Sequence, residues 1–253
     1  MEDPITDVAP PSRFFEEDLD IFTPPPPSLP PPLLILPNPN PNPTHLIIAA
    51  SPPSLSLLHR VLPSDSLIGT LILPEIPSSG TSIEPSPFDR SCNVHAVGSA
   101  VVVLARYSVS AERAHAVARA LLGPFDPERV MIFDSIRVHG FRGRLSPDDE
   151  VAYKLETSEQ RRSADRAAKA AVGVDYLPSG SVIDGLGAAL MGRCQVRRLK
   201  ATLCVTWPES GGRGAAALLK DLVREALPGL GFGGVEEGFD LVQGVRGNFD
   251  LYT

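Results

Sequence analysis

Short apolar runs alternate with amphipathic stretches along the central part of the chain. Apolar runs at His45–Ala50, Leu67–Leu73 and Arg129–Ser135 are typical of strands buried within a sheet. Two further runs, Asn93–Val97 and Ala100–Tyr107, are separated only by a Gly-Ser pair, so we expect them to form a hairpin. The pattern predicts at least five strands with helical stretches placed between them.

Three of the amphipathic stretches predict helices. Pro53–Leu62 is a short one, Ala111–Leu122 lies between a candidate cap at Ser110 and a Gly-Pro stop, and Gly214–Leu227 ends at another Pro-Gly pair. Because strands and helices alternate over more than a hundred residues, we expect an α/β three-layer sandwich with a mixed or mostly parallel sheet.

The stretch Pro178–Pro208 predicts a helix followed by a strand, and we expect it to be the part of the fold that tolerates change least. Ser181 is a candidate N-cap, and Asp184 three residues later completes a capping box. The strand that follows, Ala201–Trp207, is mostly apolar. One face of the predicted helix is apolar, and it consists of Val182, Leu186, Leu190 and Cys194.

Two glycines, Gly185 and Gly187, interrupt this predicted helix. Each costs about 1 kcal/mol relative to alanine in a helix. A close approach of the helix to the sheet is a physical reason for a residue without a side chain at these positions. We therefore expect the helix to pack tightly on the sheet.

The order of residues in this stretch resembles a known family. The pattern S-x-x-D-G-L-x-A-A-L-x-x-x-C-Q, followed by an apolar strand that ends near W-P, is similar to the C-terminal part of proteasome assembly chaperone 1 in its plant form. Three other segments resemble the same family, namely Pro11–Asp18, Leu67–Ile76 and Lys154–Thr157. The resemblance spans most of the chain between Pro11 and Trp207.

This resemblance implies both a fold and a function. The fold it implies is an α/β sandwich of the nucleoside-phosphorylase-like type, without the activity of that enzyme. The function it implies is non-enzymatic: a chaperone that promotes assembly of the proteasome core particle. Such a chaperone acts as a heterodimer with proteasome assembly chaperone 2 and binds the proteasome α-subunits at the outer face of the α-ring.

The chain ends in a hydrophobic residue, a tyrosine and one last residue, which is the HbYX pattern. Proteins that resemble this chain use such an end to dock into pockets between proteasome α-subunits. The preceding residues, from 228 onward, are rich in glycine and predict a flexible tether. The residues expected to bind the α-ring pocket are Leu251, Tyr252 and Thr253.

Proline density divides the chain into regions. More than half of the 27 prolines lie in the first 53 residues, so we expect residues 1–43 to be a mostly disordered leader. Residues 44–227 form the predicted α/β domain, with a charged insertion at about 156–173, and residues 228–253 form the tail. A proline-rich adaptor whose activity lies in residues 1–43 is one alternative function.

Charge and cysteine usage restrict the classes of partner. The 253 residues carry a net charge of −7, which leaves no basic footprint for nucleic acid or an anionic membrane. The three cysteines are far apart in sequence and form no C-x-x-C pair, so neither a zinc site nor a disulfide framework is expected. We expect a soluble intracellular protein without a cofactor, located in the cytoplasm and also in the nucleus.

A hydrolase or phosphorylase on the same fold is the second alternative, and its motifs are incomplete. Ser210–Gly214 has the glycine-rich turn of a phosphate site but lacks the P-loop lysine. Neither Ser179 nor Ser181 lies in the G-x-S-x-G pattern of a nucleophile elbow, and the five histidines are scattered. Asp148–Glu150 offers carboxylates for Mg²⁺, but these residues are more simply explained as a helix start.

Overall fold

The structure is a computed structural model, and it divides into two compact units, Met1–Pro30 and Pro31–Thr253. Only Leu29 and Pro30 of the first unit are described. No helix among the described residues has the length and hydropathy needed to cross a membrane. The residues that the structure describes are 29–37, 42–76, 84–146, 148–163, 173–209, 213–228 and 230–231.

The described residues of the second unit build one nine-stranded sheet, in the order β1-β3-β4-β5-β2-β6-β9-β7-β8. Its strands are β1 (Leu33–Ile35), β2 (His45–Ala49), β3 (Leu67–Ile72), β4 (Cys92–Val97), β5 (Ala100–Ala105), β6 (Arg129–Ser135), β7 (Val151–Glu156), β8 (Asp175–Tyr176) and β9 (Ala201–Trp207). The four central strands, β5, β2, β6 and β9, are parallel. On one side, β4, β3 and β1 continue antiparallel, and on the other β7 is antiparallel to β9. The sheet is therefore mixed, with a parallel centre.

Helices cover both faces of the sheet. Their bounds are α1 (Pro52–Val61), α2 (Ala111–Leu122), α3 (Ser158–Arg162), α4 (Gly185–Val196) and α5 (Arg213–Ala226). Helices α2 and α4 pack together on one face, and α1 and α5 pack together on the other. The predicted three-layer α/β sandwich is confirmed.

The central strands are apolar on both sides because each face contacts its own hydrophobic core. In β2, Leu46 and Ile48 belong to the core under α2 and α4, whereas Ile47 and Ala49 belong to the core under α1 and α5. All four side chains are fully buried. This explains why β2 is a continuous apolar run in the sequence and not an alternating one.

The start of α4 differs from the prediction. The N-cap is Asp184, and the helix begins at Gly185, whose φ of +63° interrupts helical geometry before it. The predicted cap, Ser181, instead accepts a hydrogen bond from the backbone N–H of Arg142 at 2.9 Å. Val182 precedes the helix and is 67% exposed, so its assignment to the buried face was wrong.

Asp148–Glu150 is not a helix start. These residues lead into β7, which pairs with β9. The carboxylate of Asp149 accepts from the backbone N–H of Ser146 at 2.7 Å, and the carboxylate of Glu150 accepts from the N–H of Gly214 at the start of α5. The acids therefore fix a turn and a neighbouring helix end, which local sequence does not reveal.

Two predicted regions contain described elements of their own. Strand β1 lies inside residues 1–43, the stretch predicted as a leader, and pairs antiparallel with β3. The charged stretch 156–173 begins with the end of β7 and with α3, whose N-cap Thr157 accepts from the N–H of Gln160. Residues 164–172 of that stretch lie outside the described residues.

Candidate functional site

The predicted α-ring contact, formed by Leu251, Tyr252 and Thr253, lies outside the described residues. The structure does describe where the tail begins. Helix α5 follows β9 and returns across the sheet over its 14 residues. Leu227, at its end, is buried in the core under α1 and α5, and Leu230 packs against that core. The tail therefore starts at the amino edge of the sheet, where the parallel strands begin.

The opposite, carboxyl edge of the parallel strands holds a polar cleft of about 200 Å³. Ligands of open α/β sheets usually bind at this edge, so the position of the cleft is that of a ligand-binding or active site. The polar side chains that line it are Ser51, Arg106, Tyr107, Ser108, Asp134, Ser135, Arg137, Asp184 and Glu209.

Asp134 is the carboxyl group of this cleft with the most perturbed acidity. It lies at the end of β6, where its carboxylate accepts hydrogen bonds from the backbone N–H groups of Ser135, at 2.8 Å, and of Gly187. Burial raises the pKa of Asp134 to about 6, although these hydrogen bonds and the charge of Arg137 oppose the rise. The group can therefore carry a proton close to neutral pH.

Two other polar groups of the cleft contact the surrounding chain, whereas the buried hydroxyl group of Ser135 has no hydrogen-bond partner among the described residues. Arg106 donates to the carbonyl oxygen of Pro87 at 2.9 Å and lies 3.2 Å from His59 Nδ1. The hydroxyl group of Ser51 donates to Ser54 Oγ at 2.8 Å. The cleft has the location of an active site, and among the described residues no nucleophile and base are paired at Asp134.

The serine and histidine candidates do not come together as a triad in the described part of the chain. His139 lies 3.4 Å from Asp184, and both are exposed, while Ser181 holds the Arg142 backbone. A separate contact joins Ser66 Oγ and His95 Nδ1 at 2.9 Å. Burial, aided by the charge of Arg106, lowers the pKa of His95 to about 4, so this histidine is neutral at physiological pH.

Metal and phosphate chemistry gain no support from the described residues. No group of three or more histidine, cysteine or acidic side chains in those ranges is placed to hold a metal ion. The thiols of Cys92, Cys194 and Cys204 are buried and free, and burial raises the pKa of each to about 12. Most of the glycine-rich turn Ser210–Gly214 lies outside the described residues.

The carboxyl edge also carries an exposed basic turn that the sequence did not single out. Residues 137–144 follow β6 and contain three arginines and one histidine without an acidic residue. They contact residues 180–184, which precede α4. The sequence signal for this turn is its concentration of basic residues, which contrasts with the net negative charge of the whole chain.

Solved structures of archaeal proteins share this fold. PbaA from Pyrococcus furiosus, described as an archaeal homolog of proteasome-assembly chaperone, superposes with a TM-score of 0.61 at 15% identity, over 85% of this chain and 94% of that chain. The fold is that of this archaeal chaperone homolog. PbaB from the same organism, an archaeal proteasome activator, superposes with a TM-score of 0.53 at 14% identity, over 78% of this chain and 89% of that chain.

Other comparisons add little. A nucleosidase from Streptococcus pyogenes superposes at a TM-score of only 0.41 and 13% identity, over 74% of this chain and 98% of that chain, and supports no statement about activity. No protein-family model matches the chain, and no curated protein matches it either. At 15% identity, the likeness to PbaA shows the fold alone.

Proposed function

We propose that this protein is a non-enzymatic chaperone that promotes assembly of the proteasome core particle. The observation that carries the proposal is the shared fold with PbaA, a protein described as a homolog of proteasome-assembly chaperone, over 85% of this chain. The sequence segments that resemble the plant form of proteasome assembly chaperone 1 support it independently, since that resemblance rests on the order of residues and not on the fold. The proposed location is the cytoplasm, with the nucleus as a second location.

The geometry of the cleft supports a non-enzymatic role over a hydrolase or phosphorylase. Arg106 is held by Pro87 and His59, and Asp134 is held by two backbone N–H groups. An enzyme of either class needs a paired nucleophile or a group that binds phosphate, directed at a common point. The carboxylate of Asp134 instead joins the end of β6 to the first turn of α4.

The proposed complex has two kinds of partner. Following the resemblance, we propose that this chain forms a heterodimer with proteasome assembly chaperone 2, and that the heterodimer binds α-subunits of the proteasome. The terminal residues Leu251, Tyr252 and Thr253 dock between α-subunits: the α-carboxylate pairs with a cationic group, and the tyrosine ring fills an apolar pocket. If residues 228–253 form the flexible tether that the sequence predicts, about 25 residues would span roughly 25–30 Å, enough to reach a neighbouring groove from the amino edge of the sheet.

Reconstitution tests this function directly. The chain is co-expressed with proteasome α-subunits, with and without proteasome assembly chaperone 2, and complexes are identified by native mass spectrometry. We expect one copy of each chaperone subunit on an α-subunit assembly, and more complete rings when both subunits are present. If the chain associates with neither α-subunits nor the second chaperone subunit, the proposed function is wrong.

A truncated variant distinguishes this role from that of a proline-rich adaptor. A variant that begins at Pro31 retains the whole second unit, including β1. We expect it to bind α-subunits as the intact chain does. Loss of binding in this variant, with its fold intact, would instead favour an adaptor function carried by the removed residues.

A further inference from the structure

Two loops meet at the carboxyl edge of the sheet and form one continuous surface. One comprises residues 137–144 after β6, and the other comprises residues 180–184 before α4; together they are called the basic loop pair. Residues 137–144 contain three arginines and one histidine and no acidic residue, in a chain whose net charge is −7. A local reversal of charge of this kind needs a physical explanation.

The basic loop pair is held in a fixed shape. The N–H of Val182 donates to the carbonyl oxygen of Gly140 at 2.6 Å, and the N–H of Arg142 donates to Ser181 Oγ at 2.9 Å. Gly140 lies so close to Val182 that a β-carbon on residue 140 would overlap the Val182 carbonyl oxygen. The ring of Phe141 packs on that of Tyr153, with centroids 5.5 Å apart. Because the loops are already ordered, a partner that binds them orders little additional chain.

Two aliphatic side chains project from this rigid surface. Val138 is 66% exposed and Val182 is 67% exposed. Neither valine is needed for the core, and the surrounding side chains are charged. Exposed apolar groups rimmed by charged residues, with arginine prominent, are the composition of protein–protein interfaces.

The charges of the surface are only partly balanced within the chain. Arg137 and His139 each lie 3.4 Å from the carboxylate of Asp184, so one carboxylate serves both. Arg142 and Arg144 are exposed, and neither guanidinium group forms an ion pair with any described residue. The surface therefore remains positive, which complements an acidic segment of a partner.

Its position separates this surface from the start of the tail. The basic loop pair follows the carboxyl end of β6, whereas α5 ends at the amino edge of the sheet. A seven-residue strand such as β6 spans about 23 Å, so the two features lie at opposite ends of the central strands. A partner that covers the basic loop pair therefore leaves the point where the tail begins uncovered.

We propose that the basic loop pair is the docking surface for an acidic segment with an apolar residue, carried by a second protein chain. That chain is the second subunit of the chaperone heterodimer, not an α-subunit; this identification rests on the proposed function. Val138 and Val182 contact the apolar residue of the partner, and Arg142 and Arg144 face its carboxylates.

Purified proteasome assembly chaperone 2 is the probe. Two double variants test the surface, Arg142→Glu with Arg144→Glu and Val138→Ser with Val182→Ser. Their matched controls lie elsewhere on exposed positions: Arg119→Glu on α2 and Val196→Ser at the end of α4, where Val196 is 77% exposed. Dissociation constants are measured by calorimetry at low and physiological salt, and circular dichroism checks that each variant is folded.

We expect both loop variants to bind the second subunit at least about tenfold more weakly than the wild type, and the controls to bind like it. The affinity of the wild type should also fall as salt rises, and that dependence should weaken in the Arg142→Glu, Arg144→Glu chain. A photo-crosslinking residue at position 138 should capture an acidic segment of the second subunit, whereas one at position 196 should not.

Other results overturn the inference in distinguishable ways. If the folded loop variants bind the second subunit like the wild type, the surface is wrong although the heterodimer and the proposed function stand. If they lose α-subunits while keeping the second subunit, or if they only abolish self-association of this chain, the occupant is wrong. If the wild-type chain binds α-subunits but not the second subunit, the inference fails while the chaperone function survives.

Discussion

Gly187 lies so close to Asp134 that a β-carbon at residue 187 would overlap the Asp134 carboxylate. The same carboxylate accepts a hydrogen bond from the N–H of Gly187. The first turn of α4 therefore rests on the end of β6 through a backbone contact that only glycine permits. This contact fixes the helix against the central strand. It also helps to bury Asp134, and burial raises the pKa of the carboxyl group although the hydrogen bond from Gly187 opposes the rise.

The first prediction concerns this contact. Gly187→Ala places a methyl group against the carboxylate, and we expect a loss of about 1–3 kcal/mol in the free energy of unfolding. Gly192→Ala in the same helix is the matched control, because nothing lies within 4 Å of a β-carbon there, and it should gain up to about 1 kcal/mol. Urea denaturation measures both. Equal effects of the two substitutions would mean that the close approach is not real.

The second prediction follows from the acidity of Asp134. Its native pKa is raised to about 6, whereas the unfolded carboxyl titrates near 4. Between these values the native state binds more protons, so the stabilisation is fully present below about pH 4 and is lost as pH rises to about 6. Asp134→Asn removes this dependence, and we expect the variant to gain about 2 kcal/mol relative to the wild type between pH 4 and pH 7.

The variant also serves as the reference for this measurement. His45 and His95, whose pKa values burial lowers, change stability with pH in the opposite direction in both proteins. Subtracting the two denaturation profiles therefore isolates Asp134. Parallel profiles for wild type and Asp134→Asn would contradict the raised pKa.

The third prediction tests the corrected buried face of α4. Leu190 is fully buried, so Leu190→Ala should cost about 2–5 kcal/mol. Val182, once placed on the same face, is 67% exposed, and Val182→Ala should change stability by less than about 0.5 kcal/mol. Thermal and urea unfolding of the two variants measure these losses. A large loss of stability in Val182→Ala would mean that Val182 belongs to the buried face.

The fourth prediction concerns the edge strand β1. The side chain of Leu36, just beyond β1, packs directly on Gly69 of β3, and Leu34 packs against the core under α2 and α4. A chain that begins at Thr44 loses these contacts and should be about 2 kcal/mol less stable than one that begins at Pro31. Similar urea midpoints for the two truncations would show that β1 adds nothing to the sheet.

The sequence predicted the central elements well because their signals are local. Ala111–Leu122, Arg129–Ser135 and Ala201–Trp207 are found with the predicted bounds, since each is a helix with clear ends or a strand buried on both faces. Strand β7 was missed because charged side chains, Lys154 and Glu156, occupy positions in it that face a polar groove.

The errors at α4 and in the site share a different cause, namely partners that are distant in sequence. Ser181 fits a capping box locally, but the positive φ of Gly185 and the N–H of Arg142 decide its role. Of the two glycines expected to mark a close approach to the sheet, Gly187 does so, whereas Gly185 has a positive φ at the start of the helix and makes no close approach. No pattern named Asp134 as the contact for Gly187. The tail motif was visible in the sequence, and it remains a prediction.

The last prediction concerns that motif. Leu251, Tyr252 and the Thr253 carboxylate are proposed to anchor the chaperone in a pocket between α-subunits. The carboxylate is ionised at neutral pH, and the tyrosine ring supplies apolar area with one hydroxyl group for a hydrogen bond. Removing the three residues, changing Tyr252 to alanine, or adding residues after Thr253 should therefore each weaken binding to α-subunits.

The heterodimer provides the internal control for these variants. The tail follows α5 at the amino edge of the sheet, whereas the basic loop pair lies at the carboxyl edge. Tail variants should therefore keep their affinity for the second subunit, while substitutions of Arg142 and Arg144 should show the reverse pattern. The tail variants and the Arg142 and Arg144 variants are compared in one assay, which measures their binding to α-subunits and to the second subunit. If the chain without residues 251–253 binds α-subunits as tightly as the intact chain, the HbYX match is coincidental, because the shortened chain still has a terminal carboxylate, at Asp250, but lacks the hydrophobic residue and the tyrosine that the pattern requires.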